Sequence, residues 1–280
     1  MYLFAKKYGV NMKLNGEQKE YLKGKDHSFV VIDGLEYFCK SSDNEVNELV
    51  ACKLAKIIGI NCAEYYLVKL NGIYYYLSYS FNNIGKFKRG SDFIGKSSED
   101  NTLYNIWNAF ESEYPDECKE LMLDLVKIFI FDIFLLNGDR HSGNYAVVEK
   151  DAKHKVYMFD NDETFQSLFR VVLSATYDTH DYVKRPSKII KKNLAYSTRG
   201  NNEILEYFLS SSSKEFCNLV IDFYYKLTPE VVYNTFLKIE QEENIRISNK
   251  DYNIKLYREN YELIGNLLEE RGFINKVKGR

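Results

Sequence analysis

Two periodicities divide the chain. Up to about residue 82, apolar positions come in short runs: Phe29–Ile32, Leu35–Lys40, Glu64–Leu70 and Ile73–Ser80. Asp33-Gly34 joins the first pair and Asn71-Gly72 the second. Both dipeptides supply the positive φ that a two-residue hairpin turn needs. Between the pairs the period changes to that of a helix. Val46, Leu49, Val50, Leu54 and Ile57 share one face, behind a Ser42…Glu45 capping box, and Gly59 ends the run as a left-handed cap. This pattern predicts hairpin, helix, hairpin: a small antiparallel sheet with one main helix. Upstream, Asn15-Gly16 and Lys23-Gly24 read as turns, and any phosphate-covering loop falls within Lys13–His27.

Phe81 to Asn101 is polar and holds Gly85, Gly90 and Gly95, which predicts a loop and a border between lobes. After it the helical period dominates. Thr102–Phe110 is a helix, and Leu121–Leu136 is a second one, apolar nearly all round. Its Asp132 is then a buried carboxylate that needs partners, and the backbone of the following loop is the expected one. Two short strands follow, Tyr145–Glu149 and Lys155–Phe159. Val171–Gly200 is irregular and basic, in the place of an activation or substrate segment. Helices are expected over Asn202–Leu209, Lys214–Leu227, from Pro229 onward, and over Asp251–Arg271. The fold class expected is α+β and bilobed: residues 1–82 as a β-sheet lobe with one helix, and 83–280 as a mostly helical lobe.

Composition narrows the setting. A net charge of −2 gives no basic footprint for direct nucleic-acid binding. The five cysteines are odd in number, lack CxxC spacing and mostly sit in apolar patterns, which suits reduced thiols in a cytoplasmic protein. The most apolar stretch is broken by Asp124, Lys127 and Asp132, so no membrane span is expected.

The chemistry gathers in Leu121–Phe165. Phosphoryl transfer demands positioning and charge neutralisation, with a carboxylate beside the attacking hydroxyl and oxygen ligands for Mg²⁺. Asp139 and Asn144 have the Asp-x-x-x-x-Asn spacing of a catalytic loop, and Arg140 and His141 lie between them as loop support. Asp160 follows an apolar strand and is preferred over Asp162 as a metal-binding carboxylate. Lys40 ends a strand, and Glu48 lies in the next helix at the margin of its apolar arc, where it is either Lys40's partner or a solvated glutamate. In kinases such a lysine holds the ATP phosphates. Ser78, Tyr79, Ser80 and Phe81 would form the hinge strand, whose backbone bonds an adenine.

Gly138-Asp139-Arg140-His141-Ser142-Gly143-Asn144 resembles the catalytic loop of HipA-like serine/threonine kinases, including the smaller CtkA-like group, and of phosphoinositide 3-kinases. Phe159-Asp160 resembles their metal-binding segment. Asn47-Glu48 with Leu54–Ile60 resembles the first helix of the HipA-like group. The resemblance covers roughly Phe29 to Phe165. It implies a bilobed kinase fold, ATP and Mg²⁺ as cofactors, and Ser/Thr phosphorylation of a protein substrate; self-phosphorylation is a further expectation. It also implies Asp139 as catalytic residue, Asn144 and Asp160 as metal ligands, and Lys40 as the ATP lysine. Some members are toxins, so an antitoxin, or a separate protein supplying the N-terminal subdomain this chain lacks, is a candidate partner. The alternatives are a lipid or small-molecule kinase with the same loop, a pseudokinase interaction module, and a helical binding protein with a chance loop.

Overall fold

The computed structural model describes residues 15–22, 25, 27–41, 46–70, 73–94, 103–137, 140–165, 209 and 214–275. The Ser42…Glu45 capping box, the Asn71-Gly72 turn, the 171–200 segment and most of the 202–209 stretch lie outside these residues.

Helix α1 (Gly16–Leu22) occupies part of the stretch read as turns. It begins with a reciprocal cap: Gln18 N donates to Asn15 Oδ1 at 2.8 Å, and Asn15 N to Gln18 Oε1 at 2.9 Å. Asn-x-x-Gln serves here as a capping box, a signal the turn reading passed over. Strands β1 (Ser28–Ile32) and β2 (Leu35–Ser41) form the expected hairpin, and Asp33 and Gly34 both take positive φ. Helix α2 (Val46–Ile58) leads to β3 (Tyr65–Leu70) and β4 (Ile73–Tyr79), and the sheet runs β1-β2-β4-β3.

The described part of the expected loop Phe81–Asn101, residues 81–94, is largely structured. It holds a 3₁₀ turn (Phe81–Asn83), strand β5 (Phe87–Arg89) and the short helix α3 (Gly90–Ile94). Three residues are too few to show a period, and Lys88 and Arg89 mask the strand. The glycines here are close-approach positions. A Cβ on Gly90 would meet the Tyr145 ring at 2.4 Å and the Ser142 carbonyl at 2.6 Å. So β5 and α3 press directly onto the loop that precedes β6 (Tyr145–Lys150). With β7 (Lys153–Met158), a second antiparallel sheet is built in the order β5-β6-β7.

Helices α4 (Leu103–Glu113) and α5 (Cys118–Leu135) lie between β5 and β6 in the chain, while α6 (Lys214–Lys226), α7 (Pro229–Glu243) and α8 (Lys250–Glu270) follow the sheet. Helix α5 is the centre of the core, with Leu121, Leu125, Ile128, Phe129 and Phe134 fully buried. It starts three residues earlier than its apolar run suggests. It stops at Leu136, which takes a left-handed conformation at φ 55°. A bulky residue there is strained.

Among the polar groups buried in this core, one ion pair joins α5 to the loop that follows it. Asp132 on α5 is 1% exposed, and Arg140, just past the end of α5, is 2% exposed. Arg140 donates to both Asp132 oxygens, from Nε at 3.0 Å and from Nη2 at 3.1 Å. Asn137 Nδ2 donates to Asp132 Oδ1 at 2.8 Å. Asp132 therefore does organise the next loop, but through side chains as well as through the backbone bond from Asn137 N to its carbonyl.

Removing one member of a buried pair leaves the other charge unpaired, so Asp132→Leu is expected to cost about 3–5 kcal/mol in urea unfolding. Asp132→Leu combined with Arg140→Met is expected to be more stable than Asp132→Leu alone. Equal stability of the two would show that Arg140 does not depend on Asp132.

Candidate active site

Arg140 sits where three segments meet. Its guanidinium carries five N–H donors in a fixed fork, and each finds an acceptor. Beyond Asp132, Nη1 donates to the carbonyls of Asn144 at 2.6 Å and Phe159 at 2.7 Å, and Nη2 donates to Asn161 Oδ1. One side chain thus ties α5, the loop before β6 and the end of β7 together. The loop closes on itself as well. Gly143 N donates to His141 Nδ1 at 2.9 Å, and Phe159 N to the Asn144 carbonyl at 3.2 Å. Gly138 and Asp139 lie outside the described residues.

Asn161 carries the network across to the other sheet. Its backbone N–H donates to Glu48 Oε2 at 2.7 Å and its side-chain amide to the same oxygen at 3.2 Å. Glu48 is 1% exposed. The solvated-glutamate alternative is therefore excluded: the small Ala51, Cys52 and Ala55 beside it let that edge of α2 pack deep. Its other oxygen, Oε1, is buried without a hydrogen bond and lies 3.9 Å from Lys40 Nζ. Lys40, on β2, is ion-paired to Asp160 and lies 4.0 Å from Asp162 Oδ2.

The electrostatics follow from this crowding. Burial pushes the Glu48 carboxyl up to about 7; Lys40 opposes the shift, and Asp160 and Asp162 add to it. Burial disfavours the Lys40 cation too, but Asp160, Glu48 and Asp162 outweigh it and hold Lys40 above the usual lysine range. Lys40 is one positive charge facing three carboxylates. Oxygens of Glu48, Asp160 and Asp162 lie within 4.8 Å of one another. Such a set of hard oxygen donors suits a divalent cation such as Mg²⁺, and the unbonded Oε1 of Glu48 shows that protein groups alone leave it unsatisfied.

Asp160 does not directly follow its strand as expected, because β7 ends at Met158. Asp160 takes φ 57° and its N–H donates to the Tyr65 hydroxyl at 3.1 Å. An aspartate tolerates the left-handed region better than most residues, and the turn swings its carboxylate toward Lys40.

These residues line a cleft of about 860 Å³ between the two sheets. Lys40, Glu48, Asn144 and Asp160 line it together with His141 and Gly143. Ser78, Tyr79, Ser80 and Phe81 form its back wall. Two N–H groups of that wall are already used: Tyr79 donates to the Glu64 carbonyl at 2.8 Å and Ser80 to that of Glu36 at 3.1 Å. The wall therefore offers less backbone to a ligand than a bare edge strand would. Phe29, Phe38, Phe87 and Phe159 supply apolar surface around it.

Reasoning from the sequence assigned no bonding role to Asn161, Asn47 or Tyr65, and did not single out Phe29, Phe38 or Phe87. The amide between two aspartates in Asp160-Asn161-Asp162 was a usable signal. The phenylalanines gave none, since an outward strand phenylalanine reads the same whether it lines a cleft or faces solvent.

Comparisons with known proteins bear on this geometry. The sequence matches the family described as HipA-like kinase over residues 16–223. The proinflammatory kinase CtkA of Helicobacter pylori has a similar structure, with a TM-score of 0.60 at 16% identity, covering 87% of this chain and 94% of that one. HipA of Shewanella oneidensis MR-1, solved in a toxin–antitoxin complex with HipB and operator DNA, has a TM-score of 0.54 at 14% identity. That match covers 88% of this chain and 60% of HipA. At such identities the likeness is one of fold. No curated protein matches the chain. The bilobed α+β kinase-like fold expected from the sequence is the fold observed, and with the family match spanning most of its length, the chain belongs to the HipA-like kinases.

Proposed function

We propose that this kinase is an ATP- and Mg²⁺-dependent phosphotransferase that acts on serine or threonine hydroxyls of a protein. The observation that carries the reading is Lys40 facing the buried Glu48 and Asp160 in a cleft with aromatic walls. Such a cleft suits a molecule that is flat and apolar at one end and polyanionic at the other. Bound Mg²⁺ would neutralise phosphate charge and align the nucleotide. Asp160 and Asn144 would hold it, with Asp162 as a further oxygen donor.

The chain's own groups supply the remainder. Lys40 is held between acidic groups, so its ammonium is fixed in place before phosphates arrive. Glu48 is anchored by two bonds from Asn161, and this sets where Lys40 points. The phenylalanines and the Ser78–Phe81 wall accept the base and exclude water around it. The family resemblance assigns Asp139 to the acceptor hydroxyl, where a carboxylate orients the nucleophile and receives its proton.

Residues 1–82 then act as the nucleotide lobe and 83–280 as the catalytic lobe. The pairing of β5 with β6 supports counting the segment after residue 82 with the second. A cytoplasmic setting is our reading from the cysteines, all five of which are free and buried; among the described residues no helix is long and apolar enough to cross a membrane. A toxin role, with an antitoxin protein as partner, is supported by the likeness to the Shewanella HipA complex.

With labelled ATP, the wild-type protein is expected to show Mg²⁺-dependent self-labelling or ATP turnover, and Asp139→Ala to abolish it. Full labelling by that variant would remove the mechanism. Asp160→Asn and Lys40→Met are each expected to lower the rate by ~10²–10³-fold, the usual loss of one charge-stabilising group. Mg²⁺-ATP is expected to raise the melting temperature of the wild type, by mass action on the folded state. No rise would argue against nucleotide binding altogether.

Glu48 gives a pH dependence in the metal-free protein. Its folded pKa, about 7, lies above the ordinary glutamate value of 4.5. The folded state therefore binds more protons in this window, and stability from this group is full below pH 4.5 and lost as pH rises through 7. With chelator present, wild-type melting temperature is expected to fall across that window more steeply than that of Glu48→Gln. Parallel curves would mean that Glu48 does not titrate there.

A further inference from the structure

The last helix, α8, lies outside every segment that carries the chemistry above, yet two of its buried side chains reach both of those segments. Asn253 and Asn260 are seven residues apart, so they project from one face two turns apart. They are 3% and 6% exposed.

Asn260 Nδ2 donates to the carbonyls of Ile133 at 2.9 Å and Phe134 at 3.0 Å. These belong to the last turn of α5, whose final carbonyls have no partners within the helix. The strained Leu136 and the loop with Asn137 and Arg140 start just beyond. Asn253 reaches the other segment through a relay. Its Nδ2 donates to Asn47 Oδ1 at 3.4 Å, and Asn47 Nδ2 donates to the carbonyls of Asp162 at 3.0 Å and Thr164 at 2.9 Å. Asn47 has one possible orientation. Two carbonyls can only accept, so its NH₂ must face them, and its oxygen must face the Asn253 amide. Between the two asparagines, the Tyr257 ring packs 6.3 Å from that of Phe165, whose N–H donates to the Leu135 carbonyl at 2.8 Å. The 160–165 segment and the end of α5 are thus joined to each other and held against the same helix face.

We propose that α8 is a positioning element of the phosphotransfer site: Asn253, through Asn47, sets the 160–165 segment that presents Asp160 and Asp162, and Asn260 sets the end of α5 from which the catalytic loop departs. This rests on the phosphotransfer reading above. Neither asparagine lies among the residues lining the cleft, so both act through other groups. Without the relay, the 160–165 turn keeps its bonds to Arg140, Glu48 and the Leu135 carbonyl but loses the support on the Asp162 and Thr164 carbonyls between them. The loss falls first on the carboxylate geometry, and so on the metal concentration the site needs.

Two measurements on the full chain test this. The first is amide hydrogen exchange without nucleotide, which needs no activity. Asn253→Leu and Asn47→Leu are expected to speed exchange in peptides covering 160–165, and Asn260→Leu in peptides covering 133–137. The second is the Mg²⁺ concentration for half-maximal ATP turnover. It is expected to rise about tenfold or more for Asn253→Leu, as with other losses of support behind a metal ligand, with a smaller change in the rate at saturating Mg²⁺. The double variant of Asn47 and Asn253 is expected to be no worse than Asn47→Leu. If Asn253→Leu does not fold, Asn253→Ala removes the amide without adding bulk or charge. Unchanged exchange at 160–165, or additive losses in the double variant, would overturn the relay. If the wild type turns over no ATP, the phosphotransfer reading fails and exchange alone decides whether α8 holds the segment.

Discussion

A buried arginine whose donors are all bonded governs this structure. The Asp132–Arg140 pair costs desolvation that a pair of apolar side chains would avoid. What it provides is a fixed direction for the remaining guanidinium N–H groups. These hold the carbonyls of Asn144 and Phe159 and the side chain of Asn161. The loop before β6, the strand end of β7 and the turn with Asp160 therefore share one reference point inside the α5 core. Hydrophobic packing is non-directional and does not fix carbonyl orientation; a guanidinium fork does.

From that point a continuous polar path runs outward. Asp132 holds Arg140, Arg140 holds Asn161, Asn161 holds Glu48, and Glu48 faces Lys40, which is paired with Asp160. The path crosses from the helical core to the four-stranded sheet, so the two sheets are linked electrostatically in the cleft. The link is unbalanced. One lysine faces three carboxylates, one of them fully buried with an oxygen that lacks a hydrogen bond. Beside a fully buried carboxylate such an excess of negative charge favours protonation or an added cation. The raised Glu48 pKa is the protein's own response, and a divalent cation is the other.

The sequence made the local elements legible where a period or a turn dipeptide existed. The Asp33-Gly34 hairpin, α2, and the all-round apolar α5 are of this kind, because each is specified by neighbours in sequence. It failed where tertiary contact decides. Strand β5 has no period of its own and exists because Gly85 and Gly90 allow close approach to β6 and its loop. Helix α1 was hidden by a glycine that marks its start rather than a turn. At the site, Lys40, Glu48, Asn144 and Asp160 could be named from spacing and order. The burial of Glu48 could not, because it depends on what packs over the small residues of α2. Asn161 and Asn47 escaped for a related reason. Their role is to bond backbone carbonyls and a carboxylate from distant segments, and sequence spacing records no such partners.

The distribution of asparagines has a physical logic that extends beyond single contacts. Asn47, Asn161, Asn253 and Asn260 are all buried, and all donate to oxygens of the segments that surround the cleft. A charged donor at any of these positions would alter the potential around Lys40 and the three carboxylates. An amide bonds an acceptor without adding a charge. The structure thus divides its work between two kinds of group. A few charges, Arg140 and Lys40 against four carboxylates, set the potential. Neutral amides hold the backbone that carries them, so geometry is fixed without adding to a charge balance that a nucleotide and its cation would complete.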